Sequence, residues 1–73
     1  VWIAESARRH GVADVDIHHA LANTVRSFVG DNITISIGPD RAGRLVEVGW
    51  IPTDDGEEIV VHAMRPARPK YLR

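Results

Sequence analysis

Seventy-three residues, 44% of them apolar, make one small domain near the lower limit at which a single core supports folding without staples. The absence of cysteine excludes disulfides, thiolate metal sites and a thiol nucleophile, so a permanent partner is one way such a chain gains stability. The formal net charge of -1 hides two opposite halves: five arginines stand against ten acids up to Glu58, and four basic residues against no acid from Ile59 onward. No apolar run approaches a membrane span and nothing at the start reads as a signal peptide, so the expectation is a cytoplasmic protein without membrane contact.

Residues 2–11 read as a short helix, with Ile3, Ala4 and Ala7 on one stripe, basic groups in the last turn and Gly11 able to take the left-handed stop. Residues 12–23 read as a second helix. Ile17, Ala20, Leu21 and Thr24 follow the three-four spacing, Asp14 and Asp16 suit the positive N-terminus, and Val12 stands where it can staple onto Ile17. The two are expected to form a hairpin with one apolar side.

From Val25 the apolar period changes to two, and β-rich runs at 25–29, 33–38, 44–51 and 58–64 alternate with turn chemistry at 30–32, 39–43 and 52–56. These connectors are too short for parallel crossovers, which predicts an antiparallel meander. If 40–43 and 53–56 are four-residue loops, Ile37, Ile35 and Ile33 lie opposite Val46, Val48 and Trp50, which in turn face Ala63, Val61 and Ile59. The expected fold is therefore α+β: an N-terminal helix hairpin packed on one face of a four-stranded antiparallel sheet, with a short basic C-terminal tail, as one domain over 1–73.

The other face then carries one row of Arg26, Ser36, Glu47 and His62, with Thr34 and Phe28 beside it and Leu45 and Met64 towards the tail. A carboxylate beside a histidine, with arginines close by, is what metal-free RNA cleavage requires. One group takes the proton of the ribose 2′-hydroxyl, another protonates the departing 5′-oxygen, and cations stabilise the phosphorane. Glu47 is the candidate base and His62 the acid, with the roles exchangeable. Arg65 and Arg68 would hold the phosphate, and Tyr71 would stack on a base or position the scissile group. Arg26, Ser36, Lys70 and Arg73 complete the expected RNA-binding surface. A structural reading of the same residues makes Arg26 and Glu47 an ordinary cross-strand ion pair, worth roughly a few tenths of a kcal/mol, and His62 a half-exposed strand residue.

The order of motifs is distinctive: His10-Gly11-Val12; Ala20-Leu21-Ala22-Asn23; Ile37-Gly38; Gly43-Arg44-Leu45-Val46-Glu47-Val48; Ile-Val-Val-His-Ala-Met-Arg-Pro-Ala-Arg over 59–68; and Lys70-Tyr71. It resembles the BrnT-type toxins of the RelE/ParE-like superfamily of bacterial type II toxin-antitoxin systems, over nearly the whole chain. The resemblance implies a RelE-like α+β ribonuclease toxin that cleaves RNA without metal or cofactor. It also implies a tightly bound cognate antitoxin, with operator DNA reached only through that antitoxin. Matched by motif, the family-type site falls on Glu47, His62, Arg65, Arg68, Lys70 and Tyr71. The chain departs from the pattern at Pro66 and Pro69, which interrupt the basic C-terminal helix usual in such toxins.

Two other activities fit the same fold. One is a non-catalytic module binding nucleic acid or an acidic partner through Arg65, Arg68, Lys70 and Arg73, and the other is a ParE-like gyrase poison. A metal site is not expected, because adjacent His18 and His19 diverge by about 100° on a helix. The glycines of residues 38–44 join two strands instead of opening a helix, so they form a turn and not a phosphate cradle.

Overall fold

The computed structural model describes residues 1–73. Strands β1 (Trp2–Ile3), β2 (Arg26–Val29), β3 (Thr34–Pro39), β4 (Leu45–Pro52) and β5 (Glu58–Met64) form one sheet in the order β1-β5-β4-β3-β2. Helix α1 (Asp14–Ala22) and a 3-10 turn at Glu5–Arg8 cover one face, and a second 3-10 turn at Pro69–Tyr71 ends the tail. No helix is long and apolar enough to cross a membrane.

This corrects the expected architecture: one helix and a five-stranded mixed sheet replace the helix hairpin on a four-stranded antiparallel sheet. The first helix fails because Ile3, Ala4 and Ala7 make too narrow a stripe, while the outer edge of β5 offers unpaired backbone groups to β-prone Trp2 and Ile3. Those two residues pair parallel to Ile59 and Val60, and Ala4 N–H donates to the Val60 carbonyl at 2.9 Å. The Ser6 hydroxyl then donates to the Val61 carbonyl at 2.8 Å, so the 3-10 turn caps the rest of that edge. The second helix forms as expected, with Ile17 and Ala20 buried and Asp14 and Asp16 in its first turn.

The meander of β2 to β5 also forms, but its register differs. Ile37 lies opposite Glu47, Ser36 opposite Val48 and Gly38 opposite Val46, one residue from the expected pairing. The cause is the β3–β4 loop, which closes between Asp40 N–H and the Arg44 carbonyl at 2.7 Å, while the buried Asp40 carboxylate accepts from Ala42 and Arg44 N–H. A one-residue slip turns every side chain over. Ile35 and Ile37 therefore face away from α1, and Ser36 and Gly38 face it. Ala63 lies in the core as expected, but a register shift at Gly49/Trp50 puts Val60 beside it, where the expected pairing had Ile59 and Val61.

Two apolar layers result. Ile17 and Ala20 of α1 pack with Val46, Val48, Val60 and Ala63 on one face, and on the other Ile35 and Ile37 are covered by Ala67 and Tyr71 of the tail. The tail is tied there by Ala67 N–H donating to the Leu45 carbonyl at 2.9 Å.

Close approach of α1 depends on Gly38, where an added Cβ would lie 2.1 Å from the Ala20 carbonyl oxygen. At Gly49 the nearest atoms are instead side-chain carbons, the closest at 3.0 Å on Ile33. Gly38→Ala is therefore expected to destabilise the domain by about 3 kcal/mol, since backbone must move, and Gly49→Ala by clearly less. Paired thermal denaturation of the two variants checks the ranking.

Candidate functional site

Because Val46 and Val48 point into the helix-side core, Glu47 between them points to the opposite face, and Ala63 does the same for His62 on β5. Gly49 is the residue opposite His62, so no side chain stands between the imidazole and Glu47 two residues along. His62 Nε2 lies 2.8 Å from Glu47 Oε2. The tail folds back over the pair: Arg68 N–H donates to Glu47 Oε1 at 2.8 Å, its Nε lies 3.1 Å from both carboxylate oxygens, and its Nη2 donates to Oε2 at 2.7 Å.

Glu47 is 0% exposed. Burial pushes its carboxyl pKa up, but the Arg68 guanidinium, the Arg68 backbone N–H and the His62 ring outweigh burial and hold it at about 2. An ionised carboxylate only accepts, so Nε2 of His62 carries the proton in the bond between them. That leaves Nδ1 as the ring nitrogen without a hydrogen bond, on a side chain 26% exposed. Glu47 itself, sealed and fully engaged, is placed to hold His62 and not to take a substrate proton.

The other expected residues divide. Arg65 is in a separate cluster: its Nη1 lies 2.8 Å from Asp40 Oδ2 and 3.6 Å from Asp16 Oδ2. Arg41 Nε donates to Asp16 at 2.9 Å, so the cluster joins α1, the β3–β4 loop and the chain just after β5. The Arg41 side chain and backbone hold the Asp16 carboxyl at about 2 against the effect of burial. At Asp40 burial pushes up, yet the Arg44 and Ala42 backbone N–H groups and Arg65 bring the net shift down.

Ser36 leaves the expected row. The slipped register turns it to the helix side, where it is buried and accepts from Trp50 Nε1 at 2.9 Å. Arg26 stays on the Glu47 face but donates from Nη1 to the Arg73 carbonyl at 2.5 Å, so it ties down the tail and does not pair with Glu47. Tyr71 packs on Phe28 with ring centroids 5.2 Å apart, and the charged groups of Arg68 and Lys70 stand 5.6 and 5.1 Å from its ring centre. Lys70 and Arg73 are exposed. Beside Tyr71 a cleft of about 330 Å³ is lined by Val25, Arg26, Ile37, Leu45, Tyr71 and Leu72.

Sequence reasoning missed His10, whose ring meets His62 edge-on with centroids 5.8 Å apart and planes at 81°. No local signal marks that meeting, because it depends on the β1 pairing that anchors the first turn beside β5. The role of Gly49 was missed as well, although a glycine inside a strand is the signal that could have found it. Comparison with protein-family models, characterised proteins and solved structures returns no match for this chain.

The carboxylates fix the direction of the acid response. Glu47 has a folded pKa of about 2 against an ordinary 4.5, so its contribution is complete above that ordinary value and is lost as pH falls towards about 2. Asp16 acts in the same sense. Denaturant midpoints are expected to drop across this window, and Glu47→Gln to flatten part of the drop while costing about 2–4 kcal/mol near neutral pH. Equal midpoints for the variant and the parent at every pH would contradict the placement of Glu47.

Proposed function

We propose that this chain is a metal-independent endoribonuclease of the toxin class its motifs resemble. In this reading it cuts RNA through the ribose 2′-hydroxyl and is held in check in the cytoplasm by a tightly bound antitoxin. The observation that carries the reading is the orientation of His62. A buried, ionised carboxylate fixes one edge of its ring and the side chain reaches the surface, on the face where Lys70 and the paired Arg68 guanidinium lie against Tyr71. A carboxylate that sets an imidazole's tautomer and stabilises its protonated form is a recurring way to prepare it for proton transfer.

In this reading Glu47 is the positioning residue. His62 moves a proton at Nδ1, as base towards the 2′-hydroxyl or as acid towards the departing 5′-oxygen. Arg68, 44% exposed, directs the part of its guanidinium not engaged by Glu47 at the charge gathering on phosphorus. Tyr71 and its cleft take a base by stacking, Lys70 and Arg73 engage neighbouring phosphates, and Arg26 holds the tail that carries them. DNA lacks the attacking hydroxyl, so it binds without being cut, and operator DNA is met only through the antitoxin. Arg65 supports the fold and takes no part in the chemistry.

One observation favours a second reading, a binding module without chemistry: Arg65 and Arg68 both already neutralise buried carboxylates, which is sufficient reason for their presence. Incubating the purified chain with RNA in EDTA separates the two. Cleavage predicts 2′,3′-cyclic phosphate and 5′-hydroxyl ends, a loss of about 100-fold or more in His62→Ala with the folded spectrum retained, and growth arrest on expression that the same change relieves. Intact RNA with salt-sensitive binding would favour the binding module, and intact RNA with DNA breaks on expression a gyrase poison.

A further inference from the structure

Cleavage through a 2′-hydroxyl needs two proton-transfer groups in opposite protonation states at one phosphate, and only His62 has so far been assigned. Glu47 cannot be the second, because it is sealed and its oxygens are already hydrogen-bonded. We infer that His10 is the other member of the pair, so that the two imidazoles stand side by side and together face one phosphodiester of RNA. The inference rests on the ribonuclease reading above.

Three fixed points carry His10 to this position although its own side chain is exposed. Ser6 is bonded to the carbonyl of Val61, the residue before His62, Ala7 is fully buried, and Val12 is 3% exposed in the same core. Between Ala7 and Val12 the chain reverses at Gly11, whose φ of +76° only glycine adopts without strain. The ring of His10 is thus held in edge contact with His62 by backbone anchors, which leaves its nitrogens to a ligand. Glu47 from β4 holds His62, and Arg68 from the tail is bonded to the same carboxylate. On the first turn itself, Arg8 is engaged by Glu5 and Asp14, and Arg9 is exposed.

The step balances within the pair. The neutral imidazole removes the 2′-hydroxyl proton as the 2′-oxygen forms its bond to phosphorus. The phosphorus–O5′ bond breaks, and the imidazolium gives its proton to O5′. The products are a 2′,3′-cyclic phosphate and a 5′-hydroxyl, and the two rings have exchanged protonation states.

The experiment measures cleavage of an unstructured RNA in EDTA from about pH 5 to 9, the range in which imidazoles titrate, for the parent, His10→Gln and His62→Gln. The parent is expected to give a bell-shaped profile, and each variant to lose about 100-fold or more together with one limb of the bell. Titration with uridine 3′-monophosphate is expected to shift the ring resonances of both histidines along one saturation curve. If His10→Gln keeps the parent rate and both limbs, or if its resonances ignore the nucleotide, His10 has no part in the chemistry and the ribonuclease reading survives without it. If the parent itself leaves RNA intact, the ribonuclease reading fails and this role fails with it.

Discussion

An ionised carboxylate sealed inside a domain of 73 residues is costly unless every oxygen finds a donor, and at Glu47 every donor comes from elsewhere in the chain. His62 supplies one from the next strand, and Arg68 supplies a backbone N–H and a guanidinium from a tail 21 residues further on. Satisfying Glu47 therefore forces the tail to return across the sheet. That return covers Ile35 and Ile37, sets Tyr71 against Phe28 and shapes the adjoining cleft. It also fixes the imidazole on which the proposed chemistry depends. Stability and the proposed chemistry share one contact.

The second ion cluster extends the same logic. Asp40 is as buried as the core, and it receives Arg65 from the end of β5 and backbone N–H groups from its own loop. Asp16 on α1 takes Arg41 and approaches Arg65, so helix, loop and sheet are joined by charge where apolar area is scarce. The basic tail is consequently not a reservoir of free cations. Arg65 and Arg68 are bonded to acids of the body, and Lys70 and Arg73 remain outward.

Much of this was legible from local signals. Glycine, proline and aspartate in the connectors located the four meander strands, α1 followed its three-four spacing, and Gly11 took the left-handed turn. The shared face of Glu47 and His62 followed from alternation alone, since both flank residues that the core requires. What failed was non-local. A two-residue β1 leaves too little pattern to read, and it exists because β5 has a bare edge some fifty-seven residues later in the chain. The slip of β3 depends on Asp40 being drawn inward by Arg65 and two N–H groups, which lengthens a loop that composition made look shorter. Ser36 left the row for the same reason. Arg26 was placed on the correct face but with the wrong partner, because its partner is a carbonyl of the returning tail.

The most direct test follows the Glu47 carboxyl carbon by NMR as pH is lowered in the folded protein. A carboxylate clasped by Arg68 and His62 holds its ionised chemical shift until pH approaches about 2. A transition centred near the ordinary 4.5, with the tail already folded, would mean that Glu47 is not clasped and that the account of both the fold and the site is wrong.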